Sequence, residues 1–136
     1  MKPEELLALA KQAMLGAYAP YSSFYVGAAL LTETGKVYTG CNIENASFSP
    51  TVCAERTAFF KALYDGHRDF RAIAVCGGKD GVITGPFPPC GVCRQVMREF
   101  CGDDFVIHMV TGTDSFESCT MADLLPHSFS ATKHMA

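Results

Sequence analysis

The 136-residue sequence has no excess of basic residues. Its 11 lysines and arginines are outnumbered by 14 aspartates and glutamates, which gives a formal net charge of −3 at pH 7. Proteins that bind polynucleotides need a basic surface to neutralise phosphates. The charge balance therefore argues against a nucleic-acid ligand and favours a small, uncharged substrate.

Long apolar runs, repeats, linkers and low-complexity segments are also absent from the sequence. No run reaches the roughly 18 apolar residues of a membrane-spanning helix, and no basic start with an apolar core marks a secretory signal. We therefore expect a cytoplasmic protein with no membrane partner. With 49% hydrophobic residues, the chain is expected to fold as a single domain over residues 1–136, with a frayed tail after about residue 130.

The sequence does contain seven cysteines, an odd number that favours reduced thiols and metal ligands over a disulfide framework. Cys90 and Cys93 are three residues apart, so a helix that starts there places both on one face. Cys53 offers a third sulfur. Thiolate ligands favour zinc, and three protein ligands leave a fourth position for water, as in catalytic zinc sites.

A carboxylate, Glu55, lies two residues after Cys53. Side chains at a helix tip lean toward the N-terminus, so Glu55 is expected beside the metal without being a ligand. A Cys-x-x-Cys pair alone is also typical of a redox dithiol or of half a structural zinc site. A closed zinc site with a fourth ligand is compatible with the spacing but leaves Glu55 unexplained; the candidates for that ligand are Cys41, Cys101, Cys119 and the histidines.

Apolar periodicity and turn residues predict an alternation of helices and strands. The predicted helices start at Pro3, at Thr51 or Val52 and at Cys90, and a capped turn follows Thr120. The last long helix has the apolar stripe Val92, Val96, Met97 and Phe100. The predicted strands are Val26 to Thr32, Val37 to Ile43, Arg71 to Gly77, Phe105 to Val110 and Phe116 to Thr120. This order predicts a helix–sheet–helix sandwich around a mainly parallel sheet opened by one hairpin.

Several motifs, spread in order over nearly the whole chain, resemble one known family. They are Ala19-Pro20-Tyr21-Ser22, Phe24, Val26 to Leu30, Gly40 to Ala46, Cys53 to Thr57, Pro89-Cys90-Gly91, Cys93-Arg94-Gln95, Leu124-Leu125-Pro126 and Phe129. This pattern is similar to cytidine deaminase of the small tetrameric class. The resemblance implies an α/β fold, a three-layer helix–sheet–helix sandwich with a mixed five-stranded sheet.

The resemblance also implies an activity. One Zn²⁺ per subunit would be held by Cys53, Cys90 and Cys93, with Glu55 as the proton carrier. The reaction would convert cytidine and deoxycytidine to uridine and deoxyuridine plus ammonia, in pyrimidine salvage. A related deaminase of a nucleoside antibiotic, nucleotide or polynucleotide is an alternative within the same fold, and a non-catalytic domain with structural zinc is an alternative of another class.

The substrate and support residues are implied in the same way. Asn42 and Glu44 match positions that bond the ribose hydroxyls, Phe24 matches the aromatic on the pyrimidine, and backbone contacts are implied at Ala46 and Ala54. Phe48 and Phe129 match positions where a neighbouring subunit completes the pocket, which implies a homotetramer with shared active sites. Three thiolates around a dication leave a formal charge of −1, so Arg56 and Arg94 are expected to donate to the thiolates; the resemblance supports Arg56 more firmly than Arg94. Three features depart from the usual pattern: Pro88 before Pro89, a longer loop after Cys76, and Phe48 in place of tyrosine.

Overall fold

The computed structural model describes residues 1–135 and has a five-stranded sheet with helices on both faces. In chain order the elements are α1 (Pro3–Met14), β1 (Phe24–Thr32), β2 (Val37–Cys41), α2 (Ala54–Tyr64), β3 (Phe70–Lys79), α3 (Gly91–Phe100), β4 (Val106–Val110), β5 (Phe116–Thr120), α4 (Met121–Leu124) and α5 (Ala131–His134). The predicted strands and long helices are all present, with ends shifted by a few residues. None of the helices in residues 1–135 combines the length and the apolar character that crossing a bilayer requires.

The strands are arranged in the order β2-β1-β3-β4-β5. Among residues 1–135, β3 and β4 are the only parallel neighbours, and the other three pairs are antiparallel. The mixed sheet is therefore confirmed, whereas the prediction of a mainly parallel sheet was wrong. Two features explain the difference: β1 lies between β2 and β3, and the short link over residues 111–115 permits only a hairpin between β4 and β5.

Burial on both faces explains the near-continuous apolar run of β3. Ile73 and Val75 point into the core beneath α2 and α3, whereas Ala72 and Ala74 pack against α1 on the opposite face. The helices approach the sheet closely where it carries glycine. A Cβ on Gly40 would lie 2.5 Å from the carbonyl oxygen of Ala54, so the start of α2 is seated directly on β2.

The helices match their predicted features in part. Val92 is 58% exposed, so its place in the buried stripe of α3 was wrong; Cys93 and Met97 take the core positions instead. Val92 is exposed because α3 packs on the sheet with the face that carries Cys93. The capped turn after Thr120 is confirmed, since Thr120 and Asp123 form a reciprocal capping box. After Ser130, where fraying was expected, the structure has the short, exposed helix α5.

Candidate metal centre and active site

Two helix starts bring three cysteines together. Cys53 is the residue immediately before α2, Cys90 is the residue immediately before α3, and Cys93 lies in the first turn of α3. Their sulfur atoms all lie within 4.8 Å of one another, and the Sγ atoms of Cys53 and Cys90 are 3.6 Å apart. The structure therefore places side by side the three sulfurs that are separated by up to 40 positions in the sequence.

The local electrostatics favour negative charge on this cluster. Both helices point their N-termini at the sulfurs, and a helix N-terminus stabilises a thiolate. Hydrogen bonding to Cys93, and then to Arg56 and Cys90, lowers the pKa of Cys53 to about 5, although burial opposes the shift. The same contact with Cys53 raises the pKa of the Cys93 thiol, and burial adds to this. Contacts within the cluster therefore stabilise the ionised form of Cys53 and the protonated form of Cys93.

The donor set fits a zinc ion. All three thiols are free, and a group of soft thiolates at this spacing is the ligand type that selects zinc. Within residues 1–135, the cluster contains no fourth cysteine, no histidine and no carboxylate oxygen. The closed four-ligand site, with Cys41, Cys101, Cys119 or a histidine, therefore receives no support from the structure. An ion bound here has a coordination position available for water.

Glu55 lies in the first turn of α2, next to the sulfur cluster, and is only 3% exposed. Burial raises the pKa of its carboxyl group to about 7, and the charge on Cys53 adds to this, while its own backbone N–H and Arg56 act in the opposite direction. A carboxyl group with such a pKa can take up or release a proton near neutral pH. The structure thus places an acid–base group beside the candidate metal position.

The two arginines expected beside the thiolates behave differently. Arg56 Nη2 lies 3.5 Å from Cys53 Sγ, as predicted for a donor to a thiolate. Arg94 instead donates from Nε to the Pro89 carbonyl at 2.8 Å and from Nη1 to the Leu124 carbonyl at 2.9 Å. The prediction that Arg94 donates to a thiolate is corrected, because its guanidinium turns toward these two carbonyls and away from the sulfurs. Arg94 supports the loop that leads into Cys90.

A cleft of about 190 Å³ opens beside the sulfur cluster. Of the predicted site residues, it is lined by Phe24, Asn42, Glu44, Cys53, Ala54, Glu55 and Cys90. Phe48 lines an adjoining cavity of about 280 Å³, which also contacts Glu44. Neither Ala46 nor Phe129 lines the cleft, and the side chain of Phe129 is 55% exposed. One chain therefore assembles most, but not all, of the predicted site.

The two polar residues in the cleft are held by hydrogen bonds. Asn42 is buried, and its side-chain oxygen accepts from the Val26 N–H at 2.9 Å while its amide donates to the Phe24 carbonyl at 2.8 Å. One amide hydrogen and one lone pair of Asn42 are left over for a ligand. The carboxylate of Glu44 accepts hydrogen bonds from Tyr21 and Ser22. These hydrogen bonds hold the side chains of Asn42 and Glu44 in fixed orientations in the cleft.

Comparisons with known proteins agree with this site. Residues 1–109 match the family model described as the cytidine and deoxycytidylate deaminase zinc-binding region. The chain belongs to this family. It is 51% identical over 130 residues to a cytidine deaminase of Sporosarcina psychrophila, covering 96% of this chain and 93% of the relative. It is 48% identical over 131 residues to the cytidine deaminase of Halalkalibacterium halodurans, covering 96% of each.

Solved structures of family members have the same fold. The cytidine deaminase of Burkholderia pseudomallei superposes with a TM-score of 0.88 at 46% identity, covering 95% of this chain and 100% of that one. The cytidine deaminase of Mycobacterium tuberculosis gives a TM-score of 0.78 at 39% identity, covering 92% and 94% of the two chains. The three-layer α/β fold with a mixed five-stranded sheet is therefore that of the cytidine deaminases.

Sequence reasoning did not assign six of the residues that line this deaminase cleft, and Phe87 and Ser22 are two of them. Phe87 lines it, and its ring lies 6.1 Å from that of Phe24 at an angle of 32°. The available signal was an aromatic residue in the extended segment just before Cys90. Ser22 also lines the cleft and bonds Glu44, which is 22 residues away. No spacing rule connects residues so far apart, so only the structure identifies this pair.

Proposed function

We propose that this chain is a zinc-dependent deaminase that hydrolyses cytidine and deoxycytidine to uridine and deoxyuridine plus ammonia, in pyrimidine salvage. The observation that carries the proposal is the position of Glu55, a buried carboxyl group between a three-cysteine cluster and a cleft of about 190 Å³. A structural zinc site needs no such group. The two curated relatives at 51% and 48% identity, both cytidine deaminases, support the substrate class.

Cys53, Cys90 and Cys93 would hold one zinc ion per subunit. When bound, zinc supplies a Lewis acid that makes water acidic enough to serve as a nucleophile near neutral pH. Three thiolates around a dication leave a formal charge of −1, which weakens that effect. The N-termini of α2 and α3, together with the guanidinium of Arg56 at 3.5 Å from Cys53 Sγ, offset this charge.

Glu55 is assigned the proton transfers. Deamination of a cytosine ring needs a proton on N3, attack of a water oxygen on C4 and a proton on the departing amine. Glu55 takes a proton from water, delivers it to N3, and then carries the hydroxyl proton to the leaving ammonia. Its carboxylate is outside the cluster of candidate ligand atoms, so it is available for proton transfer.

The remaining cleft residues fit a nucleoside. Phe24 and Phe87 both line the cleft and offer an aromatic surface to the pyrimidine. Asn42 and Glu44 offer donor and acceptor groups to the sugar hydroxyls. Backbone contacts are assigned to Ala54, which lines the cleft, and to Ala46, which lies outside the cleft of the single chain. The residues that line the cleft within 1–135 include two carboxylates and no lysine or arginine. This disfavours a nucleotide, whose phosphate needs a cationic partner.

The shape of the single chain supports an assembly with shared sites. Phe48 and Phe129 are 82% and 55% exposed, and exposed aromatic groups of this kind mark interaction surfaces. We propose a homotetramer in which these two residues complete the pocket of a neighbouring subunit. Residues 1–136 would form one catalytic domain, and the free thiols suit the reducing cytoplasm.

The first experiment compares the zinc-loaded parent with Glu55→Gln and Glu55→Ala in an ultraviolet assay with cytidine, with uridine confirmed as the product. The expected result is a loss of about 10²- to 10⁴-fold or more in kcat, because the proton carrier is removed. Zinc content, measured by metal analysis, should be unchanged. Glu5→Gln is the matched control, since it removes a carboxylate from the first turn of α1.

Two results would count against the proposal. Near-normal activity of Glu55→Gln at full zinc occupancy would contradict the role of Glu55. A parent protein that holds zinc but leaves cytidine unchanged would redirect the search to nucleoside antibiotics, nucleotides and polynucleotides. If none of these reacts either, the chain would have to be a structural zinc domain.

A further inference from the structure

The two oxygens of Glu44 are not equivalent. Oε1 accepts hydrogen bonds from the backbone N–H groups of Tyr21 at 3.0 Å and Ser22 at 3.1 Å. Oε2 accepts one bond, from the hydroxyl of Ser22. Each carboxylate oxygen has about two acceptor positions. Oε1 is therefore saturated, whereas Oε2 keeps one acceptor position for a ligand in the cleft.

The hydroxyl of Ser22 is fixed from both sides. Its oxygen accepts the N–H of Phe24 at 3.1 Å, so its single hydrogen is available to Glu44 Oε2. The surrounding turn is held as well: Ser23 has a φ of 63°, its N–H donates to the Ala19 carbonyl at 3.1 Å, and its carbonyl accepts from Asp80 at 2.7 Å. Ser22 thus connects the carboxylate of Glu44 to the backbone N–H of Phe24, which lines the cleft.

We propose that Ser22 is a positioning residue for sugar recognition, whose hydroxyl orients Glu44 so that Oε2 accepts a hydrogen bond from a ring hydroxyl of the nucleoside. The inference rests on the proposed function, because it requires a nucleoside in the cleft. It goes further by assigning the accepting atom and the residue that orients it. Ser22 lines both the cleft beside the cysteines and the adjoining cavity at Phe48, so it stands where a sugar would lie.

The chemistry of Glu44 restricts what can bind there. The hydrogen bond from the Ser22 hydroxyl, with the backbone N–H groups of Ser22 and Tyr21, lowers the pKa of Glu44, so the group is an ionised acceptor. An ionised carboxylate accepts and never donates. Its partner must therefore carry a hydrogen, as a ring hydroxyl of the sugar does. An analogue without ring hydroxyls gains nothing from Glu44 or from its orientation.

The test uses this difference between substrates. Steady-state kinetics of the zinc-loaded parent, Ser22→Ala and Ser22→Thr are measured with cytidine and with 2′,3′-dideoxycytidine, which has no ring hydroxyl. For Ser22→Ala, KM for cytidine should rise about tenfold with a much smaller change in kcat, as expected when one charge-assisted hydrogen bond is misaligned. With dideoxycytidine, kcat/KM of Ser22→Ala should equal that of the parent within about twofold.

Two further variants complete the test. Ser22→Thr keeps the hydroxyl and should restore the parental KM for cytidine. Thr113→Ala, which removes an exposed hydroxyl from the link between β4 and β5, should match the parent with both substrates.

Several outcomes would overturn the inference. An equal fall in kcat/KM with both substrates would mean that Ser22 only maintains the fold of the turn. An unchanged KM for cytidine in Ser22→Ala would mean that its hydroxyl does not contribute to sugar recognition. A parent protein without activity on cytidine would contradict the proposed function itself, and this inference with it.

Discussion

At the scale of single residues, the candidate metal centre depends on how the charge of three neighbouring sulfurs is balanced. Arg56 is the side chain that contacts Cys53 Sγ, at 3.5 Å, and its Nε is buried without an acceptor in residues 1–135. Arg56 is partly buried, and this strengthens its attraction to a thiolate because less water screens the pair. Arg94, by contrast, acts on the backbone of the neighbouring loop. The two arginines therefore support the site in different ways.

Replacement of Arg56 by alanine should weaken zinc binding. Residues that hydrogen-bond to metal ligands typically contribute a factor of about 10 to 100 in metal affinity, and we expect Arg56→Ala to fall in this range. Competition with a chromophoric chelator measures the change directly, and the pH needed for activity should rise as well. Arg71→Ala is the control, because Arg71 makes an exposed ion pair and a carbonyl hydrogen bond with Glu33, away from the cysteine cluster. Equal zinc affinity and an unchanged pH profile in Arg56→Ala would exclude the role.

At the scale of secondary-structure elements, α3 joins the metal loop to the C-terminal segment. Cys90 and Cys93 lie at the start of this helix. The next two residues, Arg94 and Gln95, form hydrogen bonds with backbone carbonyls of the C-terminal segment. Arg94 bonds the carbonyls of Pro89 and Leu124, and Gln95 Nε2 donates to the Phe129 carbonyl at 3.0 Å. The position of Phe129 is thus set by the same helix that positions two of the sulfurs.

Removal of the Gln95 side chain should loosen this C-terminal segment. In Gln95→Ala one hydrogen bond is lost, worth about 1 kcal/mol, so amide exchange around Phe129 should accelerate by roughly 2- to 10-fold. Hydrogen exchange followed by mass spectrometry would locate the change to residues 125–130. The surface variant Gln12→Ala on α1 is the control. Exchange at the parental rate in Gln95→Ala would show that other contacts hold the segment.

At the scale of the whole molecule, the single chain leaves its cleft open and several aromatic side chains exposed. Phe48 is 82% exposed beside the cleft, and Tyr64 and Phe60 are 91% and 49% exposed on the outer face of α2. Aromatic surface left in water forgoes the favourable free energy of burial, and a subunit interface would recover it. These exposed aromatic side chains are the basis of the proposed homotetramer.

Shared active sites predict complementation between inactive chains. We expect low activity from Glu55→Gln and from Phe129→Ala alone, and recovery of about a quarter of the parental activity when the two are co-expressed, since random assembly pairs an intact Glu55 with a neighbour's Phe129 in that fraction of sites. Light scattering should show four chains. Co-expression of Glu55→Gln with the doubly substituted chain is the control, because no site can then hold both residues. Mixed assemblies with no more activity than this control would contradict shared sites.

The sequence by itself determined the local features. The spacing of Cys90 and Cys93, the apolar period of α1 and the two-sided apolar run of β3 each reflect the geometry of one helix or one strand, and each is found in the structure. Such features depend on residues only a few positions apart.

The tertiary structure decided the rest. The direction of the strands, the exposure of Val92, the carbonyl contacts of Arg94 and the pairing of Ser22 with Glu44 were not predicted. Each depends on the packing of the sheet, which decides which segments come into contact. These segments are 20 or more residues apart in the sequence or lie on opposite sides of a helix. Periodicity describes one element at a time, whereas these contacts are created only when the helices dock on the sheet and exclude water between them.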